Sequence, residues 1–168
     1  DAHLRLTPLS ANPKTFAEPA RKQEVHMLLR EFARAASSIA RDDKAPNADP
    51  LIEHSAEMFF QEARQALSAY ETGDIPWARY SIHRSTGYCI SCHTRADRGA
   101  KDFTLQWEPK LSALDPAQRI EFLLANRQYS SALARAKELA VDVEFVKKDP
   151  RAWIVAIEKV MAMLFGRE

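Results

Sequence analysis

The densest chemistry in this sequence sits in five residues, Cys89-Ile90-Ser91-Cys92-His93. These are the chain's only two cysteines. A disulfide framework is therefore excluded, and the cysteine arithmetic points to a site. At i, i+3 and i+4 the three reactive side chains share one face of a helical turn. From such a face two thiols can add to the two vinyl groups along one porphyrin edge, while the adjacent imidazole reaches the iron. The C-x-x-C-H spacing thus predicts covalent attachment of one haem c, with Cys89 and Cys92 as thioethers and His93 as an axial ligand of the iron. Two other chemistries use similar residues. A redox dithiol is expected beside a βαβ pattern, which the sequence lacks. Structural zinc needs four ligands in a closed geometry, yet no further cysteine exists and the other histidines are scattered. No catalytic carboxylate pair, serine triad, phosphate loop or second metal cluster stands out, so nothing in the residues asks for an enzyme.

The elements that must position this motif are helices. Asp49-Pro50, Asp115-Pro116 and Asp149-Pro150 each place a side-chain acceptor at an N-cap and a proline at the first helical position, and Asp74-Ile75-Pro76 does so one residue later. Asp115 with Gln118, and Thr15 with Glu18, read as capping-box variants. Between these signals the apolar residues recur at helical spacing. The predicted helices cover about 16–41, 50–71, 75–94, 116–125, 129–146 and 150–165. No stretch sustains strand-like alternation, residues 103–107 excepted. The expected fold is all-α, a bundle of about six helices in antiparallel hairpins with the motif ending the third. That third helix has a second apolar edge, Trp77, Tyr80 and Tyr88, which predicts burial on two sides. Residues 1–168 are read as a single haem-binding domain, with 1–15 as an extended N-terminal arm and 95–114 as a long loop.

Composition bounds the partners. The chain has 168 residues, 46% apolar and 28% charged, with a formal net charge of +1. No field of one sign marks nucleic acid or an anionic membrane as the partner, and no apolar run approaches a transmembrane span. The sequence opens without a charged-then-apolar leader, as would a mature exported protein whose leader has been removed.

The other side of the iron depends on the second hairpin. If it turns near Gly73, position 93 lies level with position 53, which brings His54 and Met58 to the height of the motif. An imidazole or a thioether could ligate there, the thioether raising the reduction potential. His83 lies on the motif's own helix about 15 Å before His93 and cannot reach the same iron. His26 and Met27 fall well down the first helix, and Met161 and Met163 read as core. The loop of about 20 residues after the motif is long enough to be functional. In it Phe103, Leu105 and Trp107 could cover a porphyrin edge, and Arg95, Arg98 and Lys101 could pair with propionates.

The motif resembles the shared signature of the c-type cytochromes, over these five residues. A long helix ending in it within a helical bundle resembles the class II cytochromes (cytochrome c′ and its low-spin relatives). The sequence departs from that family in one respect: about 75 residues follow the motif here, where the family carries it near the C-terminus of a four-helix chain. The resemblance implies a periplasmic protein that exchanges electrons with a redox partner protein. With two protein ligands on the iron it is a one-electron carrier. With an open or displaceable sixth position it binds or senses a small gas or peroxide. As a third possibility it is the haem subunit of a larger redox complex, with Tyr80, Trp77 and Tyr129 at an interface.

Overall fold

The computed structural model describes residues 2–41, 50–95, 111–112 and 114–165, the side chains of 93–95 and 163 excepted. Expectations placed on residues 96–110, the Asp49 cap and the Arg95 and Met163 side chains lie outside the described residues. The described chain is all-α, with no strand among the described residues. Its helices are α1 (Ala2–Ala11), α2 (Pro13–Phe16), a 3₁₀ turn (Pro19–Arg21), α3 (Lys22–Ala40), α4 (Pro50–Thr72), α5 (Ile75–Arg95), α6 (Pro116–Ala125), α7 (Tyr129–Ala140), α8 (Val143–Lys148) and α9 (Pro150–Phe165). They fall into two compact units, Asp1–Cys92 and His93–Glu168.

Local chemistry sets most of these boundaries. Asp115 and Gln118 form the reciprocal capping box at α6. Asp74 accepts from the Trp77 N–H at α5, and Asp149 from the Ala152 N–H at α9. α4 ends where Gly73 takes a φ of 85°, with the Asp74 N–H reaching the Ala69 carbonyl and the Gly73 N–H reaching Tyr70. This left-handed C-cap frees the chain to reverse into α5. Two boundaries differ from expectation. The first long helix starts at Lys22 and not near 16, because Glu18, restrained by Pro19, is extended (ψ 124°) and Asn12 rather than Thr15 caps the preceding turn. The helix expected over 129–146 is broken at Val141, where the Asp142 carboxylate accepts from the Phe145 N–H and starts α8.

The N-terminal unit is an up-and-down arrangement of α1, α3, α4 and α5, read from which residues meet. His3 meets Phe32 and Arg5 meets Glu24, so α1 and α3 run antiparallel. Tyr70 bonds to Lys22 and Phe59 packs on Phe32, which makes α3 and α4 antiparallel. Glu62 meets Arg84 and Ile52 meets Cys92, closing the α4–α5 hairpin in the register equidistant from Gly73. Finally Thr86 meets His3 and Arg79 meets Ser10 and Ala11, so α1 also runs antiparallel to α5. Leu6, Phe16, Val25, Leu29, Ala63 and Ile82 are fully enclosed in the core between them. In the C-terminal unit α9 packs on α6 and α7, with Trp153 donating to the Leu139 carbonyl at 3.0 Å and Lys159 paired with Glu121 at 2.7 Å.

Two expectations need correction. The expected extended arm over 1–15 is not seen in its described residues, 2–15. They form α1 and part of α2, because Leu4 and Leu6 are buried and Arg79 fastens the end of α1 by donating to the Ser10 and Ala11 carbonyls at 2.6 and 3.1 Å. The second apolar edge of α5 is not buried either. Trp77 and Tyr80 are 43% and 50% exposed and pack on each other with ring centroids 5.1 Å apart, while Tyr88 is half-buried. The face that α5 does bury carries Ala78, Ser81, Ile82, Ser85 and Thr86.

Leu6 tests the docking of α1. Leu6→Ala is expected to remove about 2–5 kcal/mol of stability, the cost of emptying an enclosed leucine site, read as a lower urea midpoint. An extended, solvated arm would make the same substitution nearly silent.

Candidate functional site

The motif occupies the end of α5. Cys89 and Cys92 stand one turn apart on it, and the backbone of His93 continues the same helix. Both cysteines are free thiols in half-buried residues. The Cys89 thiol is the enclosed part of its residue, and burial together with the neighbouring Cys92 thiol pushes it up to about 12. Burial also raises Cys92, against a hydrogen bond from Ser55 that favours its thiolate. The Cys92 thiol points at α4, with Sγ 4.0 Å from the Ile52 carbonyl oxygen.

The remaining sides of this end come from α1, α3 and α4. One turn before Cys89, the buried Thr86 places its Oγ1 3.4 Å from Nε2 of His3. His3 also lies 3.3 Å from the Thr7 hydroxyl and stacks on Phe32, centroids 5.8 Å apart at 30°. Phe32 in turn meets Phe59 edge-on at 5.3 Å, and Phe59 stands one turn from Ser55, the partner of Cys92. The contacts run Thr86, His3, Phe32 and Phe59, with Cys89 one helical turn beyond Thr86 and Ser55, the partner of Cys92, one turn before Phe59. The thiols, an imidazole and two aromatic rings therefore share one end of the four-helix unit.

The residues expected opposite His93 are placed unequally. α4 brings Ile52 and Ser55 towards Cys92, whereas His54 is exposed and Met58 half-buried. His26 is paired with Glu71 at 2.8 Å, at the other end of α4. His83 lies 3.4 Å from the Ser10 hydroxyl. Met27 and Met161 are exposed. The side chains of His93 and Arg95, and all of Arg98, are outside the described residues. Sequence reasoning did not single out His3. Its one signal was the run Leu4, Leu6 and Leu9 before Asn12, which would have had to be read as a docked helix.

Among the described residues no group of three or more His, Cys, Asp or Glu side chains is placed to hold a bare metal ion. Comparison of the chain with protein-family models, curated proteins and solved structures gives no match. The residues can be tested against covalent haem on their own chemistry. Attachment needs two reduced thiols one turn apart on a face with apolar neighbours. Cys89 and Cys92 are free thiols one turn apart on one helix, so the two sulfur donors fit that attachment.

The two thiols are expected to differ in reactivity in haem-free protein. Only a thiolate attacks an alkylating reagent, and a thiol raised to about 12 holds little thiolate at pH 8. Peptide mass spectrometry after brief iodoacetamide treatment of the native protein should therefore find Cys92 labelled well before Cys89. Equal labelling in urea is the control for an effect of folding.

Proposed function

We propose that this protein is a mono-haem c-type cytochrome that carries single electrons. Cys89 and Cys92 hold the haem as thioethers, and His93 supplies one axial imidazole. The observation that carries the reading is the pair of reduced thiols one turn apart on α5, followed on the same helix by His93. When bound, haem c supplies a one-electron couple, and the protein's part is to bind, orient and shield it. α4 would flank the attached edge through Ile52 and Ser55, and Phe32 and Phe59 would provide apolar surroundings. No helix among the described residues is long and apolar enough to cross a membrane.

The finer parts of the reading follow from the haem. Covalent attachment belongs to exported proteins, which favours the periplasm, and a one-electron carrier requires a docking redox partner. The wider arrangement would be antiparallel helical hairpins within each unit, with the motif ending the fourth helix of the N-terminal one once α1 is counted beside α3, α4 and α5. The antiparallel pairing of α3, α4 and α5 and the packing of α6, α7 and α9 support it within each unit.

Expression with an export signal in a host that assembles c-type haem tests the proposal. The expected product is red, keeps its haem through acid–acetone extraction, and is heavier than the chain by one haem. A Cys89→Ala/Cys92→Ala double variant should lose all extraction-resistant haem. A colourless wild-type protein at the mass of the bare chain overturns the reading.

A further inference from the structure

We propose that the α4–α5 turn of the N-terminal unit is a saccharide-binding site, with the Trp77 indole as the platform for one sugar ring. The inference is independent of the haem reading and starts from the aromatic pair that α5 leaves in the open. Trp77 and Tyr80 are 43% and 50% exposed, and their rings meet at 5.1 Å with a tilt of 33°. Leaving such apolar surface in water forgoes the free energy of burying it. The contact with Tyr80 also braces the indole where solvent reaches it.

Beside the indole lies a cleft of about 290 Å³ lined by Gln65, Ser68, Ala69, Thr72, Asp74 and Trp77. All of these residues except Ala69 are exposed. Asp74 caps α5 through Oδ1, which accepts from the Trp77 N–H at 3.1 Å. The carboxylate that starts the helix therefore stands beside the platform, and its Oδ2 can accept from a ligand hydroxyl. Thr72 donates to the Ser68 and Ala69 carbonyls, so towards a ligand its oxygen is an acceptor. Gln65 adds an amide that donates and accepts, and Ser68 adds a hydroxyl.

This lining selects its ligand by chemistry. Asp74 is the one charged residue on it, which disfavours phosphates, sulfates and carboxylates. A wholly apolar ligand would cover the amide and hydroxyls without replacing their bonds to water, at about 1–3 kcal/mol each. A sugar ring satisfies both kinds of surface. The C–H groups of one face lie on the electron-rich face of the indole, and the hydroxyls around its rim bond to Asp74, Gln65 and Ser68. The cleft is at the small end of ligand sites, which span about 300–1,000 Å³, so it takes one ring at a time.

The test titrates the full chain separately with cellotriose, chitotriose and maltotriose, read from the indole N–H signals and the backbone amides of 65–74 in ¹H–¹⁵N spectra. At least one sugar should shift the Trp77 indole signal saturably. Trp77→Ala should keep its helical circular dichroism and weaken that sugar at least about tenfold. If Trp77→Ala loses helical signal, Gln65→Ala carries the test with a several-fold loss, since alanine favours an exposed helix position. No saturable shift with any of the three sugars overturns the proposal, as does unchanged affinity in a folded Trp77→Ala or in Gln65→Ala. Tetramethylammonium binding more tightly than every sugar also overturns it, by making the indole and Asp74 a cation site.

Discussion

α5 buries a face of small side chains, and the motif end of the N-terminal unit depends on it. Ala78, Ser81, Ser85 and Thr86 let α1 and α4 approach from either side, since the distance between helix axes follows the size of the side chains at the contact. The same choice brings hydroxyls inside, where an unmet polar atom costs about 1–3 kcal/mol. Ser85 meets this by donating to the Ile82 carbonyl at 2.6 Å, and Thr86 by pairing with His3. The polar contact that places His3 is thus a consequence of how closely α5 is packed.

The α4–α5 seam carries a second polar constraint. Glu62 is 2% exposed and binds Arg84 at 3.1 Å through Oε1, while Oε2 and the nearby Ser81 hydroxyl have no hydrogen-bond partner among the described residues. A buried carboxylate tolerates only the register that brings its guanidinium partner level with it. Shifting α5 by one residue would strand the charge. That register is also the one that sets Cys92 against Ile52, so the pair Glu62–Arg84 and the thiol position are fixed together.

The parts of the fold that local chemistry decides were legible in the sequence. The starts of α4, α5, α6 and α9 were readable because a carboxylate followed by proline specifies an N-terminus without reference to the rest of the chain. α1 was not readable on those terms. It holds Pro8 in its interior, and it buries Thr7 and Ser10 along with Leu4 and Leu6, so its sequence shows no clean apolar stripe. Tertiary contact makes it a helix. Trp77 and Tyr80 misled in the opposite direction, because aromatic residues at helical spacing suggest a buried edge, whereas here they cover each other in the open. The height of the motif along α4 followed from equidistance about Gly73, but height alone does not settle facing. Each helical residue turns by about 100°, and that step separates Ser55, which reaches Cys92, from the exposed His54.

The thiols add an argument about order of events. Once α5 is packed, burial holds the Cys89 thiol near 12, protonated at neutral pH and shut in by its neighbours. A thiol in that state is a poor partner for any bond-forming step. On the reading proposed above, thioether formation at Cys89 therefore belongs to a chain whose α5 face is still open, and the closing of α1 and α4 around that face follows it. Attachment and folding become one process, as when a bound group supplies folding free energy to a site that the unfolded chain lacks. The enclosure that makes Cys89 inert in the finished fold would then also keep an attached haem edge away from water.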